Sequence, residues 1–366
     1  MTTTSGFKQE IQKLGKSSIL LGNRSMPLQL VLFVTSRCNM RCDHCFYLDE
    51  INDSSRTELS IEQIETLAKE LGGLNWVALS GGEPYLRKDL VEIIQAFYKH
   101  SRPNIISHVT NGYYPDRISD MTGKMAASCS KSKVLVIFSL DGLQETHDRI
   151  RHSPGSFDLV KESIQSVQKH QSDYPNLETG VVITAQDNNQ EELIPLIEYI
   201  ESKLMPNGIY INLHRDHTQP SNVIVDPQVL MHYQEAVAFY ESIQTKKNLK
   251  GRKLLDRLLD GKNKLQKRTI TKIAEENTYQ LPCLAGKVSV VVDELGNVYA
   301  CELLKEPMGN LKNQSFKEIW FSEQARRLSD SITQDKCYCT HECAMSSSLL
   351  FNPGKLFQSM ISGVMT

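Results

Sequence analysis

The sequence predicts an α/β protein in which a parallel β-sheet, closed or partly closed into a barrel, is covered by helices on its outside. The first observation is a series of short β-branched runs, at 28–36, 75–81, 104–111, 133–140, 178–185 and 208–215. The second is that an amphipathic stretch long enough for one helix lies between successive runs. Strands that alternate with helices pair in parallel, because each helix carries the chain back to the start of the next strand. We therefore expect a partial (β/α)6 barrel of the TIM type.

The predicted helices have recognisable beginnings and apolar faces. Ser60 and Gln63 have the spacing of a capping box, and apolar residues then recur at helical spacing through Leu71. A second helix is expected to begin at Asp89. A later helix carries an apolar face formed by Phe157, Val160, Ile164 and Val167. These patterns place one helix after each of several strands, as the barrel requires.

The chain is expected to contain more than the barrel, because its pattern changes after the sixth strand. A Lys-rich helical stretch is followed by a predicted hairpin around DELGN, a short helix at 317–328 and a group of cysteines. The expected organisation is an N-terminal extension, the barrel, a helical connector, a hairpin-plus-helix domain and a tail, at 1–27, 28–220, 221–280, 281–347 and 348–366.

Composition excludes several classes of protein. The chain has 366 residues, 40% of them hydrophobic and 23% charged, which is enough for a large core. Its formal net charge is -2 and it has no run of basic residues with interleaved aromatics, so nucleic-acid binding is not expected. No signal peptide and no apolar stretch of roughly 20 residues is present, so we predict a cytoplasmic protein without a membrane segment. Its nine cysteines are then expected to form two metal-binding groups, of three and five, and one buried thiol, Cys129, rather than disulfides.

The most informative segment is RCNMRCDHCFY, which follows the first predicted strand. It places Cys38, Cys42 and Cys45 in a C-x3-C-x2-C spacing. A structural zinc site needs four protein ligands, and His44 would close such a site only awkwardly. A cubane iron-sulfur cluster held by three cysteines would instead leave one iron open for chemistry.

Further polar motifs follow the other predicted strands. In a barrel of parallel strands, functional groups collect at the carboxyl ends of the strands. Taken singly, each of these motifs is more often an ordinary turn, since Gly and Asp supply turn geometry in general. Their joint placement at one edge favours a functional site. The motifs are SGGEP at 80–84, TNG at 110–112, SLDG at 139–142 and HRDH at 214–217.

The cysteine motif, its aromatic ending and the GGEP motif together resemble the radical S-adenosylmethionine (radical SAM) superfamily, over residues 28–215. The resemblance implies a 4Fe-4S cluster on the three cysteines, with its fourth iron chelated by the amino and carboxylate groups of S-adenosylmethionine. It also implies that an electron from the reduced cluster cleaves the cosubstrate to methionine and a 5'-deoxyadenosyl radical, which takes a hydrogen atom from a substrate. A flavodoxin or ferredoxin is the expected electron donor.

The resemblance suggests roles for residues at the other strand ends. Gly81 and Gly82 would let backbone approach the methionine amino group, Glu83 would accept from that ammonium and Pro84 would fix the turn. Contacts to the ribose or to the methionine end are expected from Asn111, Ser139 and Asp141. Arg151 and Arg215 are candidates for the methionine carboxylate, although both could also be surface arginines. The alternative for Asp141 is that it only forms the turn after the fourth strand.

The C-terminal cysteines resemble the auxiliary-cluster domain of radical SAM enzymes, called SPASM, and its shorter relative called twitch. The segment has a cysteine hairpin, a GNL turn and a terminal cysteine group, but fewer cysteines than a full SPASM domain. We therefore expect one auxiliary 4Fe-4S cluster. Which four cysteines bind it is open; Cys283, Cys301 and Cys343 are the preferred ligands, and Cys339 is preferred to Cys337. A structural zinc site is the alternative. The candidate ligands are Cys283, Cys301, Cys337, Cys339 and Cys343.

The predicted function is a radical SAM oxidoreductase that oxidises or cross-links its substrate and passes an electron through a fully ligated auxiliary cluster. About 27 residues precede the first strand, too few for a leader-recognition domain. This favours a small natural-product or sugar substrate, or a peptide delivered by a separate leader-binding protein. The alternatives are a ribosomal-peptide maturase that forms thioether or C–C cross-links and, in a different class, a non-catalytic zinc-binding scaffold.

Overall fold

A computed structural model describes residues 25–53, 55–215, 219–247, 254–352 and 354. The strands are β1 Gln29–Thr35, β2 Trp76–Gly81, β3 Ile105–Thr110, β4 Lys133–Ser139, β5 Leu177–Ala185, β6 Gly208–Leu213, β7 Ser289–Val292, β8 Asn297–Tyr299 and β9 Gly309–Asn310. The α-helices are α1 Ile61–Leu71, α2 Leu90–His100, α3 Pro115–Ser128, α4 Gln144–Ile150, α5 Ser156–Lys169, α6 Leu193–Tyr199, α7 Pro227–Lys247, α8 Leu254–Glu276, α9 Phe316–Phe321, α10 Glu323–Gln334 and α11 Glu342–Leu350.

The described strands form one sheet in the order β6-β5-β4-β3-β2-β1-β7-β8-β9. Strands β1 to β6 pair in parallel, which confirms the predicted α/β fold with an open, partial barrel. All seven residues of β1 are buried, as expected for a strand covered on both faces. The carboxyl ends of the six strands therefore lie along one edge of the sheet, where the sequence predicted the site.

The predicted beginnings of the helices are partly as expected. Ser60 caps α1 through the predicted capping box, with its side chain accepting from Gln63 N while the Gln63 side chain accepts from Ser60 N. Asp89 stands at the start of α2 but makes no side-chain capping bond. The helix predicted at 317–328 is instead two helices, because Ser322 ends α9 and its hydroxyl caps α10 by accepting from Ala325 N.

The C-terminal hairpin joins the barrel sheet and is not a separate layer. Strand β7 pairs in parallel with β1, and β8 and β9 continue antiparallel from it. The sequence predicted the hairpin but not its place beside β1. The predicted domain boundaries stay a prediction, and the tail from 355 onward lies outside the described residues.

The connector helices cover the other edge of the sheet, at β6. Tyr240 of α7 accepts from the Ile209 amide through its hydroxyl at 2.9 Å. Lys267 of α8 donates to the Ile211 carbonyl at 2.5 Å. Edge strands carry unpaired backbone groups that invite pairing with other chains, so these two side chains protect the edge.

Candidate radical SAM site

The three N-terminal cysteines lie on the segment that connects β1 to α1, which we call the cysteine loop (residues 36–53). Its backbone is held from within, since the Cys45 amide donates to the Cys42 carbonyl at 3.1 Å. The side chain of Asn52 both accepts from the Cys38 amide, at 3.0 Å, and donates to the Cys38 carbonyl, at 2.8 Å. Asn52 has a φ of 60°, a left-handed conformation that Asn tolerates better than most residues. No sequence pattern predicts these two Asn52 hydrogen bonds.

The two glycines of the GGEP motif pack against the backbone of the cysteine loop. A Cβ on Gly81 would lie 2.3 Å from the Thr35 carbonyl oxygen, and one on Gly82 would lie 2.2 Å from that of Arg37. Gly81 also has a φ of 126°, which favours glycine. The amides of Gly82 and Glu83 donate to Thr35 and Arg37 at 2.7 and 2.8 Å. The glycines therefore permit a close approach of two protein segments, whatever they do for a bound cosubstrate.

Glu83 is buried, and its carboxylate accepts three internal hydrogen bonds. The donors are the amides of Tyr85 and Asn111, at 3.1 and 2.8 Å, and the Thr110 hydroxyl, at 2.9 Å. Burial raises the pKa of Glu83 to about 6, although these three hydrogen bonds act to lower it. Pro84 begins the single 3-10 turn Pro84–Leu86, which Glu83 caps. In this structure the carboxylate therefore ties the loop after β2 to the end of β3.

Asn111 lies beside the cysteine loop, as the strand-end argument predicted. Its side-chain Nδ2 donates to Asn39 Oδ1 at 2.9 Å, and its side-chain Oδ1 accepts from the Tyr113 backbone amide at 3.0 Å. Asn39 stands between Cys38 and Cys42 in sequence, and its buried Nδ2 has no hydrogen-bond partner among the described residues. A buried donor without an acceptor is costly, so this position suits a bound group that can accept.

Asp141 and Arg151 form a buried ion pair. Arg151 Nε lies 2.9 Å from Asp141 Oδ2, and its Nη2 donates to the same oxygen. Burial alone would raise the pKa of Asp141, but the Arg151 cation outweighs it and holds that pKa at about 2. Arg151 Nη1 also lies 3.5 Å from the Cys42 sulfur. The arginine thus joins the end of β4 to a cysteine of the loop.

The structure adds the buried Gln186 and Asn189, which no sequence motif singled out, and gives the half-buried His44, considered above only as a zinc ligand, contacts of its own. His44 Nε2 lies 3.7 Å from Asp141 Oδ2, and the Gln186 amide lies 3.5 Å from His44 Nδ1. Asn189 donates to the Asp141 carbonyl at 2.6 Å. Gln186 and Asn189 belong to QDNN (186–189), which directly follows β5. The strand-end rule alone would have found this segment, because it marks the one barrel strand whose loop was passed over.

Ser139 and Arg215 are the two remaining candidates for binding S-adenosylmethionine. Ser139 is the buried last residue of β4. Arg215 follows β6, and its guanidinium carbon lies 6.0 Å from the centroid of the Phe46 ring. His214 contacts His44 edge-on at 6.2 Å between ring centroids. Of the HRDH motif, His217 lies outside the described residues.

The C-terminal cysteines are brought together by the hairpin and the segment before α11. Four of them, Cys283, Cys301, Cys337 and Cys339, line one largely apolar cavity. Burial, together with the charges of neighbouring cysteines, raises the pKa of Cys339 to about 12 and that of Cys337 to about 11. Cys343 does not line this cavity; burial raises its pKa to about 12, the Glu302 carboxylate raises it as well, and Arg215 and Lys262 lower it.

Both cysteine groups fit iron-sulfur clusters in their donor chemistry. Burial raises the pKa of Cys38 to about 11 and raises the pKa values of Cys42 and Cys45 as well. The thiolates therefore need a positive partner, which a cluster supplies. Among the described residues, no three Cys, His, Asp or Glu side chains converge as ligands of a single metal ion do. A cubane takes one thiolate on each iron, so its cysteines surround a volume rather than a point.

Comparison with protein families decides the classification. Residues 32–200 match the radical SAM superfamily, and residues 283–344 match SPASM, an iron-sulfur cluster-binding domain. The chain belongs to the radical SAM superfamily. The predicted 4Fe-4S cluster, S-adenosylmethionine and auxiliary iron-sulfur centre are confirmed as cofactors of this radical SAM enzyme at the level of its two domains. The residues that bind them stay predictions.

Relatives of this radical SAM enzyme include proteins with several named roles. It is 28% identical to the Fe-coproporphyrin III synthase of Methanosarcina barkeri, over 57% of this chain and only about half (49%) of that protein. It is 25% identical to the antilisterial bacteriocin subtilosin biosynthesis protein AlbA of Bacillus subtilis, over 90% of this chain and 72% of AlbA. It is 28% identical to the mycofactocin maturase MftC of Mycolicibacterium smegmatis, over 86% of this chain and 76% of MftC.

A solved structure shares the fold. The structure of anSMEcpe with bound AdoMet and Cp18Cys peptide superposes with a TM-score of 0.58 at 19% identity, over 84% of this chain and 83% of that one. At this identity the likeness concerns the fold alone. Within the described part of the chain, none of the helices has the length and apolar character needed to span a membrane.

Proposed function

We propose that this radical SAM enzyme oxidises or cross-links a peptide, with Cys38, Cys42 and Cys45 holding the SAM-binding cluster. The observation that carries the proposal is the packing of the GGEP backbone on a loop whose three thiols, one buried and two half-buried, lie close enough to raise one another's pKa. When bound, the cluster supplies the electron that cleaves S-adenosylmethionine to methionine and a hydrogen-abstracting radical. The enzyme class rests on the domain matches, whereas the substrate class is the proposal.

The chain's own residues would prepare the site for this chemistry. Burial raises the pKa of Cys42, and the Arg151 cation offsets part of this increase. The cation thereby favours the thiolate form that binds iron. The Asn39 amide offers a buried donor to a bound group. Glu83, held by three hydrogen bonds, fixes the turn that faces the loop. Such prior positioning is the contribution that proteins make to cofactor chemistry.

We assign the auxiliary cluster to Cys283, Cys301, Cys337 and Cys339, because these four share one cavity. This differs from the preference stated from sequence, which placed Cys343 ahead of Cys337. Cys343 is not among the described residues that line this cavity. Measuring iron in the five single Cys→Ala variants tests the assignment, since C343A should keep the iron content of the parent. Loss of iron in C343A together with an intact C337A would reverse it.

Two relatives support a peptide substrate. AlbA and MftC, named for bacteriocin biosynthesis and for maturation, match most of this chain. The sequence analysis favoured a small molecule or a separately delivered peptide, and the second of these remains compatible. A tetrapyrrole substrate is the other candidate, because an AdoMet-dependent heme synthase is 25% identical over 85% of this chain and 87% of its own length.

The first experiment measures iron and acid-labile sulfide on anaerobically reconstituted protein. The parent should hold about eight irons and the Cys38/Cys42/Cys45→Ala variant about four, since each cubane holds four. 5'-Deoxyadenosine should form only with the parent after dithionite reduction, and flavodoxin or ferredoxin should replace dithionite. Zinc in place of iron, with no cleavage of S-adenosylmethionine, would favour the scaffold alternative.

The second experiment identifies the overall reaction. With a peptide substrate, the product should be two hydrogens lighter for each S-adenosylmethionine consumed, as oxidation or cross-linking requires. An epimerised or rearranged product of unchanged mass would contradict the electron-accepting role of the auxiliary cluster.

A further inference from the structure

Each cysteine of the cysteine loop has a supporting side chain at or near it. Cys38 is held by Asn52, and Cys42 is held through Arg151. Two residues beyond Cys45, the Tyr47 hydroxyl donates to the Glu294 carboxylate. Only this third support comes from the C-terminal iron-sulfur domain, 247 positions away in sequence.

Glu294 lies in the DELGN turn between β7 and β8 and is the centre of a buried network. It is 1% exposed, and its carboxylate also accepts from Arg56 Nε at 2.6 Å. Its backbone carbonyl accepts from the Leu59 amide at 2.7 Å, just before α1. A single residue of the hairpin therefore contacts the loop near Cys45 and the segment that leads from the loop to α1.

The turn that carries Glu294 is itself fixed before it meets the loop. The Asp293 carboxylate accepts from the amides of Leu295 and Asn297, at 3.0 and 2.8 Å, and from the Asn297 side chain at 2.7 Å. On the loop side, the Tyr47 ring stacks on Phe33 of β1 at 5.2 Å between centroids. Both partners of the Tyr47–Glu294 bond are thus held in place by their own elements.

We propose that Glu294 is a positioning residue through which the C-terminal iron-sulfur domain sets the geometry of the Cys45 end of the cysteine loop, and with it the affinity for S-adenosylmethionine. The inference rests on the proposed role of Cys38, Cys42 and Cys45 as cluster ligands. An anionic acceptor suits this place because two donors, a hydroxyl and a guanidinium, converge on it. Loss of either contact would release the loop two residues beyond Cys45.

The test uses the full chain with both clusters and two variants, Glu294→Gln and Tyr47→Phe. Tyr47→Phe removes one hydroxyl and leaves the Arg56 and Leu59 contacts of Glu294 in place. The matched control is Glu306→Gln, which removes an exposed ion pair with Arg327 in the same domain. The readouts are iron per chain, the melting temperature of the metal-free protein, and the change that S-adenosylmethionine causes in the EPR spectrum of the reduced protein, titrated to give a Kd.

We expect both variants to keep their iron while the Kd for S-adenosylmethionine rises about tenfold, which corresponds to about 1.4 kcal/mol. Their EPR spectra with the cosubstrate should differ from that of the parent, and Glu306→Gln should match the parent in every readout. An unchanged Kd and spectrum in both variants would overturn the inference, as would equal loss of iron from both sites with a lower melting temperature. If Glu294→Gln does not fold, Tyr47→Phe decides alone. A parent that shows no spectral response to S-adenosylmethionine would instead refute the proposed function.

Discussion

The buried Arg151 guanidinium contacts a carboxylate and a cysteine thiol at the same time. Its Nε lies 2.9 Å from Asp141 and its Nη1 lies 3.5 Å from the Cys42 sulfur. The sequence suggested the methionine carboxylate as a partner for this arginine. The internal ion pair gives Arg151 a task that does not depend on any ligand, and this difference can be measured.

Arg151→Gln should destabilise the metal-free protein by about 3–5 kcal/mol, because it leaves the Asp141 carboxylate buried without its cation. Denaturant unfolding of the metal-free chain measures this. The control is Lys124→Gln, which removes an exposed pair with Asp120 and should leave stability unchanged. A variant as stable as the parent that had lost only affinity for S-adenosylmethionine would show that Arg151 serves the ligand alone.

Gly82→Ala should deprive the enzyme of its first cluster, because the new Cβ would meet the Arg37 carbonyl oxygen at 2.2 Å and displace the start of the cysteine loop. Iron per chain should fall by about four. Gly73→Ala is the matched control, since a Cβ there meets no atom within 4 Å. Full iron content in Gly82→Ala would mean that the GGEP motif and the loop can move apart without loss of the site.

The residues of the site were predictable to the extent that they form local patterns. Cys38, Cys42 and Cys45 share one short motif, and GGEP follows a strand that the sequence marks clearly. Tyr47 and Glu294 carry no such signal, because their contact depends on how β7 docks beside β1. Polar partners far apart in sequence become visible only when the fold brings them together.

At the scale of elements, strand β3 carries a buried histidine beneath the GGEP turn. His108 Nε2 lies 2.7 Å from the Tyr85 hydroxyl, which also contacts Thr122. Burial lowers the pKa of His108 to about 4. The folded protein therefore keeps this imidazole neutral, whereas the unfolded chain protonates it near its ordinary pKa of 6.5.

This difference should make the protein less stable in mild acid. As the pH falls from about 6.5 towards 4, the unfolded state gains a proton that the folded state does not, so the free energy of unfolding decreases by on the order of 2–3 kcal/mol. In His108→Gln this part of the decrease should be absent, as measured by denaturant unfolding between pH 7 and pH 4. The control is His232→Gln, at a half-buried histidine of α7 outside this network, which should follow the parent. Equal slopes in His108→Gln and the parent would contradict the assignment of a neutral buried His108.

Elements were predicted best where burial leaves a periodic signal. The bounds of β1 to β6 agree with the predicted runs to within about two residues, because strands covered on both faces are continuous apolar runs. The helix at 317–328 was predicted as one because its apolar period continues across Ser322. The break occurs at Ser322, whose hydroxyl caps the second helix. A serine hydroxyl that bonds to the backbone can end one helix and begin another, and apolar periodicity does not show this.

At the scale of the whole molecule, the two cluster regions share one sheet. Strand β7 pairs with β1 from Gln29 opposite Ser289 to Leu32 opposite Val292. The same region of the barrel is held by Trp320, which donates to the Ser25 carbonyl at 2.8 Å, and by Lys312, which donates to the Thr57 carbonyl at 2.8 Å. The C-terminal domain therefore extends the barrel sheet beside β1 as well as carrying its own cysteines.

A chain truncated after Pro282 should consequently fail to form a soluble barrel. Its β1, buried on all seven residues in the full chain, would become an exposed apolar edge strand, and such edges pair with other chains. The full-length Cys283/Cys301/Cys337/Cys339→Ser variant is the control, because it lacks the auxiliary ligands but keeps the β1–β7 pairing. Sedimentation and iron analysis distinguish the two: the control should remain monodisperse with about four irons, whereas the truncated chain should aggregate. If the truncated chain were monodisperse and held four irons, the barrel would fold without β7. The cluster on the cysteine loop would then form without the Glu294 contact.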